Sequence, residues 1–248
     1  MVHAKARVEI REFQKADLRN YVLIEGFPGM GLVGTIAAKY LIEKLHMKKL
    51  GYIHSDIFVP LIRVRDGKPV YPSRIFFGKE KKLVVIISEQ VIPNNNINDF
   101  AEKIVDWIKQ KKFRRVISLN GIQSADKPET VYGIASNDKS IGLLQQSKVE
   151  IVKEGITTGI SAAMLLELKT YGIEAISLLA PIKLPADYKA AAVLIKKLND
   201  VLGLNIDIVP LMKEAKTAED ELTKFMQSMK EHQQQMQQME KDTPTYTT

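Results

Sequence analysis

The chemistry-bearing residues gather first in the run Gly26-Phe27-Pro28-Gly29-Met30-Gly31-Leu32-Val33-Gly34. Within it Gly29, Gly31 and Gly34 keep the spacing G-x-G-x-x-G, after an apolar run (Tyr21–Glu25) and at the start of an amphipathic stretch (Gly31–Leu45). Glycines at that spacing permit a tight strand-to-helix turn and let a pyrophosphate approach the backbone at the helix N-terminus. A dinucleotide site also needs an acidic residue about 20 residues further on, to hold the ribose. Asp56 stands near that distance but past the end of the next expected strand, and Pro28 stiffens a turn that normally has no proline. The run therefore reads as a structural turn. A nucleotide- or nucleoside-binding α/β enzyme using the same glycines is the alternative.

Other constellations carry less. Gly159-Ile160-Ser161-Ala162-Ala163 is one residue away from the nucleophile-elbow pattern, but a serine nucleophile needs a histidine base. Of His3, His46, His54 and His232, only His54 falls near a strand end, with Asp56 close by, and Ser161 reads as a helix start. No two histidines stand at ligand spacing, and without cysteine neither disulfides nor thiolate metal sites are available. Glu89 and Asp99 could meet at the carboxyl edge of a sheet, where Phe27, Glu89, Asn120 and Thr157 would border a crevice. Hydrogen-bonded loop caps are the simpler reading of these residues. No catalytic residue, cofactor or metal is assigned.

The elements that must position these groups follow from the hydropathy pattern. Apolar runs alternate with amphipathic stretches, the pattern of an α/β protein. Strands are expected at Tyr21–Glu25, Lys48–Ser55, Leu61–Val64, Tyr71–Phe77, Lys82–Ser88, Arg115–Leu119, Val131–Ala135, Glu150–Val152 and Ile173–Leu179, with a turn at Asp66-Gly67. Helices are expected at Gly31–Leu45, Ile97–Lys111 (with Asn96 or Asn98 as N-cap), Ser161–Tyr171 and Tyr188–Leu202, the last two closed by Gly172 and Gly203. The order implies a three-layer sandwich with a mostly parallel central sheet and one antiparallel hairpin inserted.

The net charge of +7 raises the question of nucleic acid. From Ile208 onward five lysines face seven acids, so the excess lies in the body, where it is scattered. The densest run, Lys109 to Arg115, falls at an expected helix end, where cations complement the helix dipole. No continuous basic face emerges, and nucleic-acid binding is not expected. The N-terminus lacks the apolar core of a signal peptide, and no stretch is apolar for long enough to span a bilayer. A cytoplasmic protein without membrane contact is the expectation.

Past the body, Leu211, Ala215, Ala218, Leu222, Phe225, Met229, His232, Met236 and Met239 are spaced alternately by four and three residues. This is a heptad seam in which only His232 is polar, and it predicts a long helix packing against a neighbour. The expected organisation is an α/β domain over residues 1–206, a heptad helix over 207–241 and a tail over 242–248.

The segment GFPGMGLVG after a strand, followed by AAKYLIEKL, resembles the signature of the proteasome-assembly-chaperone family and its archaeal relatives. The asparagine-rich loop at Asn94–Asn96, the LNGI segment (Leu119–Ile122) and the stretch LLELKTYGIEAISLLAP (Leu165–Pro181) resemble it too, so the likeness spans most of Tyr21 to Leu202. The resemblance implies an α/β sandwich akin to nucleoside phosphorylases without established catalysis, a homo-oligomer of four or five subunits, and contact with the proteasome core particle. Relatives that engage the proteasome often end in a hydrophobic residue, a tyrosine and one further residue. This sequence ends Thr245-Tyr246-Thr247-Thr248, which places the tyrosine third from the end and a threonine at the hydrophobic position. By resemblance Tyr246, Thr247 and Thr248 are the partner-binding residues.

Overall fold

The computed structural model describes residues 5–123 and 129–217. The chain enters through β1 (Val8–Glu12) and β2 (Val22–Gly26), then turns into α1 (Val33–Lys44). It continues through β3 (Lys48–Ser55), the short ribbon of β4 (Arg63–Arg65) and β5 (Lys68–Val70), then β6 (Ser73–Gly78), β7 (Leu83–Ser88) and α2 (Ile97–Lys111). The second half runs β8 (Arg115–Ile122), β9 (Tyr132–Ala135), α3 (Asp138–Gln146), β10 (Glu150–Ile151), α4 (Ile160–Thr170), β11 (Glu174–Pro181) and α5 (Tyr188–Leu202).

Nine of these strands form one sheet in the order β1-β3-β6-β7-β2-β8-β11-β9-β10. Its centre, β7-β2-β8-β11, is parallel. The β1-β3-β6-β7 side is antiparallel throughout, and β9 lies antiparallel to β11. The antiparallel portion is therefore larger than one inserted hairpin. The additional edge strand β1 alternates Val8 and Ile10 with Glu9 and Arg11, so its charges face outward while its apolar residues reach the core.

The two sheet faces bury separate cores. One is covered by α1 and α5 and contains Ile24, Ile117, Leu119, Ile176 and Leu178, with Leu41, Leu194 and Leu198 from the helices. The other is covered by α2 and α4 and contains Leu23, Val84, Ile86 and Val116, with Phe100, Ile104, Ile108 and Met164. Period-two alternation along each central strand sends neighbouring residues to opposite cores.

Helix ends follow local chemistry. Asn137 begins α3 by accepting from the Ser140 N–H at 2.9 Å. Asp187 begins α5 by accepting from the Ala190 N–H at 2.8 Å, and Gly203 closes it in the left-handed region. Asn96 occupies the cap position of α2 without a capping side-chain bond, because Asn94–Asn96 already form a 3-10 turn leading into the helix. Among the described residues no helix is long and apolar enough to cross a membrane.

Candidate functional site

The glycine run joins β2 to α1 by a single 3-10 turn, Met30–Leu32. Gly31 holds φ +65°, and a Cβ there would lie 2.8 Å from Ile182 Cγ2. Gly34 lies against β8, where a Cβ would come within 2.2 Å of the Leu119 carbonyl oxygen. Such approaches leave no room for a side chain. Gly29 differs: its φ of −147° is ordinary extended backbone, and a Cβ would have Asn120 Oδ1 as its nearest neighbour, at 3.7 Å. The two later glycines thus sit in close packing, whereas the first opens onto a cavity.

That cavity has a volume of about 570 Å³ and lies at the carboxyl ends of β2, β8 and β11. Gly29, Asn120, Gly121, Leu179, Thr157 and Thr158 contribute to its wall. Ile92, Ile97, Ile122, Ile134 and Ile160 supply apolar surface, and Glu154 is the one charged side chain among the lining residues described. The outer ends of open parallel strands are where α/β proteins most often form clefts, since successive loops diverge there.

Beneath the wall a row of polar groups crosses the sheet. Glu25 of β2 is in register with Ser118 of β8, and Ser118 with Ser177 of β11. All three are buried. Ser161, on the first turn of α4, brings its Oγ to 2.6 Å from Glu25 Oε1 and 3.2 Å from Asn120 Oδ1. Asn120 Nδ2 in turn donates to Ser177 Oγ at 3.1 Å, and the Phe27 N–H donates to Glu25 Oε2 at 3.2 Å. Burial pushes the Glu25 carboxyl above the usual range, against opposing hydrogen bonds from Ser118, Ser161 and the Phe27 backbone.

A hydroxyl carries one proton, so Ser161 cannot donate to Glu25 and Asn120 together. Its proton goes to Glu25 Oε1, the shorter contact, and Asn120 Nδ2 donates on to Ser177 Oγ. Glu25, Ser161, Asn120 and Ser177 thus form one buried row that backs the Asn120 amide at the cavity wall.

Other residues singled out from sequence are distributed differently. Asn120 and Thr157 meet at the cavity, but Phe27 is buried in the α2/α4 core, edge-on to Phe100. Glu89 lies away from them, with its Oε1 accepting from Arg63 at 2.9 Å and Arg74 at 2.5 Å. Asp99 instead accepts from the Ala6 N–H at 3.0 Å, so Glu89 and Asp99 serve separate partners. Ser161 is buried 9% exposed, bonded to a carboxylic acid rather than a histidine.

Residues 209–217 are helical, and Leu211 and Ala215 are buried, Leu211 within the α1/α5 core. Tyr40 of α1 secures the approach to this helix by donating its hydroxyl to the Asp207 carbonyl at 2.6 Å. Ala218, Leu222, Phe225, Met229, His232, Met236 and Met239 lie outside the described residues, as do Tyr246, Thr247 and Thr248. Sequence reasoning passed over Glu25, Ser118 and Ser177. Their signal was a carboxylate ending the buried run YVLIE and the matched I-S-L triplets of β8 and β11.

These features define a mixed α/β protein, helices on both sides of its sheet, with a cavity at the carboxyl edge of the parallel strands. The chain belongs to the PAC2 family, whose model matches residues 23–226. It is 34% identical to Uncharacterized protein MJ0106 of Methanocaldococcus jannaschii, over 95% of this chain and 96% of that one. It is similar to the crystal structure of Pyrococcus furiosus PbaA, described as an archaeal homolog of proteasome-assembly chaperone, with a TM-score of 0.81, 32% identity and coverage of 94% and 97% of the two chains. Pyrococcus furiosus PbaB, described as an archaeal proteasome activator, aligns with a TM-score of 0.79 at 25% identity, covering 88% of this chain and 98% of that one.

Proposed function

We propose that this chain is a non-enzymatic, homo-oligomeric interaction protein of the proteasome-assembly-chaperone type that engages a proteasome core particle through its C-terminal residues. The observation carrying this reading is the likeness to PbaA and PbaB along nearly their whole lengths, since PbaB is itself described as a proteasome activator. The nucleoside-phosphorylase-like architecture belongs to the same reading, as do the heptad helix over 207–241 and the separate tail over 242–248.

Surface chemistry supports self-association. Val59, Leu61, Ile62 and Val64, on and just before the β4–β5 ribbon, are all exposed, with Ile62 67% accessible. A cluster of exposed aliphatic side chains in one short segment favours burial against another protein. In the proposed assembly Leu211, Ala215, Ala218, Leu222, Phe225 and Met229 form the packing seam. Its first two positions anchor on the body and the later ones reach a neighbouring helix. Tyr246, Thr247 and Thr248 then dock on the core particle, the tyrosine offering apolar area and a hydroxyl together. Several tails per oligomer make weak individual contacts sufficient.

The test is a light-scattering mass of the full chain, alone and mixed with archaeal proteasome core particles, repeated after deletion of Asp242–Thr248. An oligomeric mass with tail-dependent co-migration is expected. A monomer that ignores the core particle would sink the reading.

A further inference from the structure

We propose that the cavity at the carboxyl edge of β2, β8 and β11 is a binding site for an uncharged, nucleoside-sized molecule, held through Asn120 and the Thr157-Thr158 segment. The site uses none of Tyr246, Thr247 and Thr248 and stands on different observations.

Size comes first. A volume of about 570 Å³ falls within the range of roughly 300–1,000 Å³ usual for small-molecule sites. The wall also has the expected character, broad apolar surface with a few polar groups that fix orientation. Ile92, Ile97, Ile122 and Ile160 provide the surface for a flat ring. Asn120 presents an amide, which reads the paired donor and acceptor edge of a heterocycle, while Thr157 and Thr158 supply hydroxyls suited to a sugar or another polyol.

Charge then narrows the ligand. No lysine or arginine is among the lining residues described, and the one charged group, Glu154, is acidic. Against the described wall a phosphate or carboxylate would lack a counter-ion and would meet a like charge. The glycine spacing that suggests a phosphate cradle does not make one. Gly31 and Gly34 are committed to Ile182 and to the Leu119 carbonyl, and only Gly29 reaches the cavity. A neutral molecule is what the wall accommodates.

Preorganisation is the third argument. The row Glu25–Ser161–Asn120–Ser177 fixes the Asn120 amide from behind, with contacts of 2.6, 3.2 and 3.1 Å. A carboxylic acid and hydroxyls placed in a core cost stability unless satisfied. Here they are satisfied by one another and by the amide they aim. Glu25 and Ser161 are positioning residues in this arrangement, not members of the cavity wall.

The experiment is calorimetric titration of the full-length protein with adenosine, inosine, uridine and cytidine, and with their monophosphates. At least one nucleoside is expected to bind with a Kd below about 1 mM, and its monophosphate about tenfold more weakly. Gly29→Leu fills the cavity at a position whose backbone accepts any residue, and is expected to abolish binding while shifting Tm by no more than about 4 °C. Thr158→Trp, on an exposed loop, blocks the same space without touching the core and should also abolish it. The proposal is overturned if no nucleoside binds below about 1 mM, if a monophosphate binds as tightly as its nucleoside, or if binding survives in both folded variants.

Discussion

On the α1/α5 face of the sheet, Ala37 and Ala38 meet Ala190, Ala191 and Ala192 around Leu41, Leu194 and Leu198, all buried. On the α2/α4 face, Phe100, Trp107 and Phe113 pack beside Ile104 and Met164, and the same face carries Glu25, Ser118 and Ser177 at its carboxyl end. Small residues line the contact between α1 and α5. Larger side chains fill the α2/α4 core, whose strand ends carry the polar row and border the cavity. Each strand serves both faces through its alternation, which lets one sheet combine a rigid backing with a site.

Removing that difference should cost most where the packing is closest. Gly34→Ala forces a methyl against the Leu119 carbonyl oxygen, a backbone atom that cannot rotate away. A loss of about 3 kcal/mol is expected, or roughly 6–12 °C in Tm by calorimetry. Gly142→Ala in α3, where nothing lies within 4 Å, is the control and should instead add about 0.5–1 kcal/mol. Equal losses at the two positions would mean that close approach is not what Gly34 provides.

Asp187 ties the start of α5 to the glycine turn ahead of α1. Its carboxylate accepts from the N–H groups of Lys183, Leu184 and Ala190, and its own N–H donates to the Gly31 carbonyl at 2.8 Å. Asp187→Ala orphans those three donors while its backbone N–H keeps the bond to Gly31, with an expected loss of about 2 kcal/mol in denaturant unfolding. Asp187→Asn should recover part of it through the remaining carbonyl oxygen. No difference between the two variants would show that the cap contributes little.

The smallest effect, and the one specific to the α2/α4 face, concerns pH. The folded state raises the Glu25 carboxyl above its ordinary value through burial, so folding takes up a proton at pH values between the two. That stability is fully present below the ordinary glutamate range, about 4.3, and is lost as pH rises towards the folded value. Glu25→Gln keeps the shape and cannot ionise. Its Tm relative to the original chain should therefore climb with pH, with the smallest gap at the acid end. A gap independent of pH would remove the argument that burial raises the Glu25 carboxyl.

The parallel centre was legible because YVLIE, KLVVIIS, RVISL and IEAISLL are apolar runs separated by periodic helices. β1 was not, since VEIRE at the sheet edge mixes apolar and charged residues like a solvated arm. α3 was hidden for another reason: DKSIGLLQQ is short, contains Gly142 and draws its start from the Asn137 cap more than from periodicity. Of the cavity, Asn120 and Thr157 could be read from their places after strands, because clefts form at the carboxyl edge where successive loops diverge. Glu25 could not. A lone acid in an apolar run shows its partners only when Ser118 and Ser161, 93 and 136 residues away, come together in space.

Leu211 enters the α1/α5 core, so the helix of residues 209–217 lies on the side of the sheet opposite the α2/α4 core and its polar row. Every copy in a symmetric assembly must release its segment in the same way, which gives the assembly a direction. A cyclic ring would gather all its segments on one side and offer a single docking platform. A dihedral assembly, by its perpendicular two-folds, would offer two platforms facing apart. In the proposed assembly, the number of core particles held would follow from that symmetry.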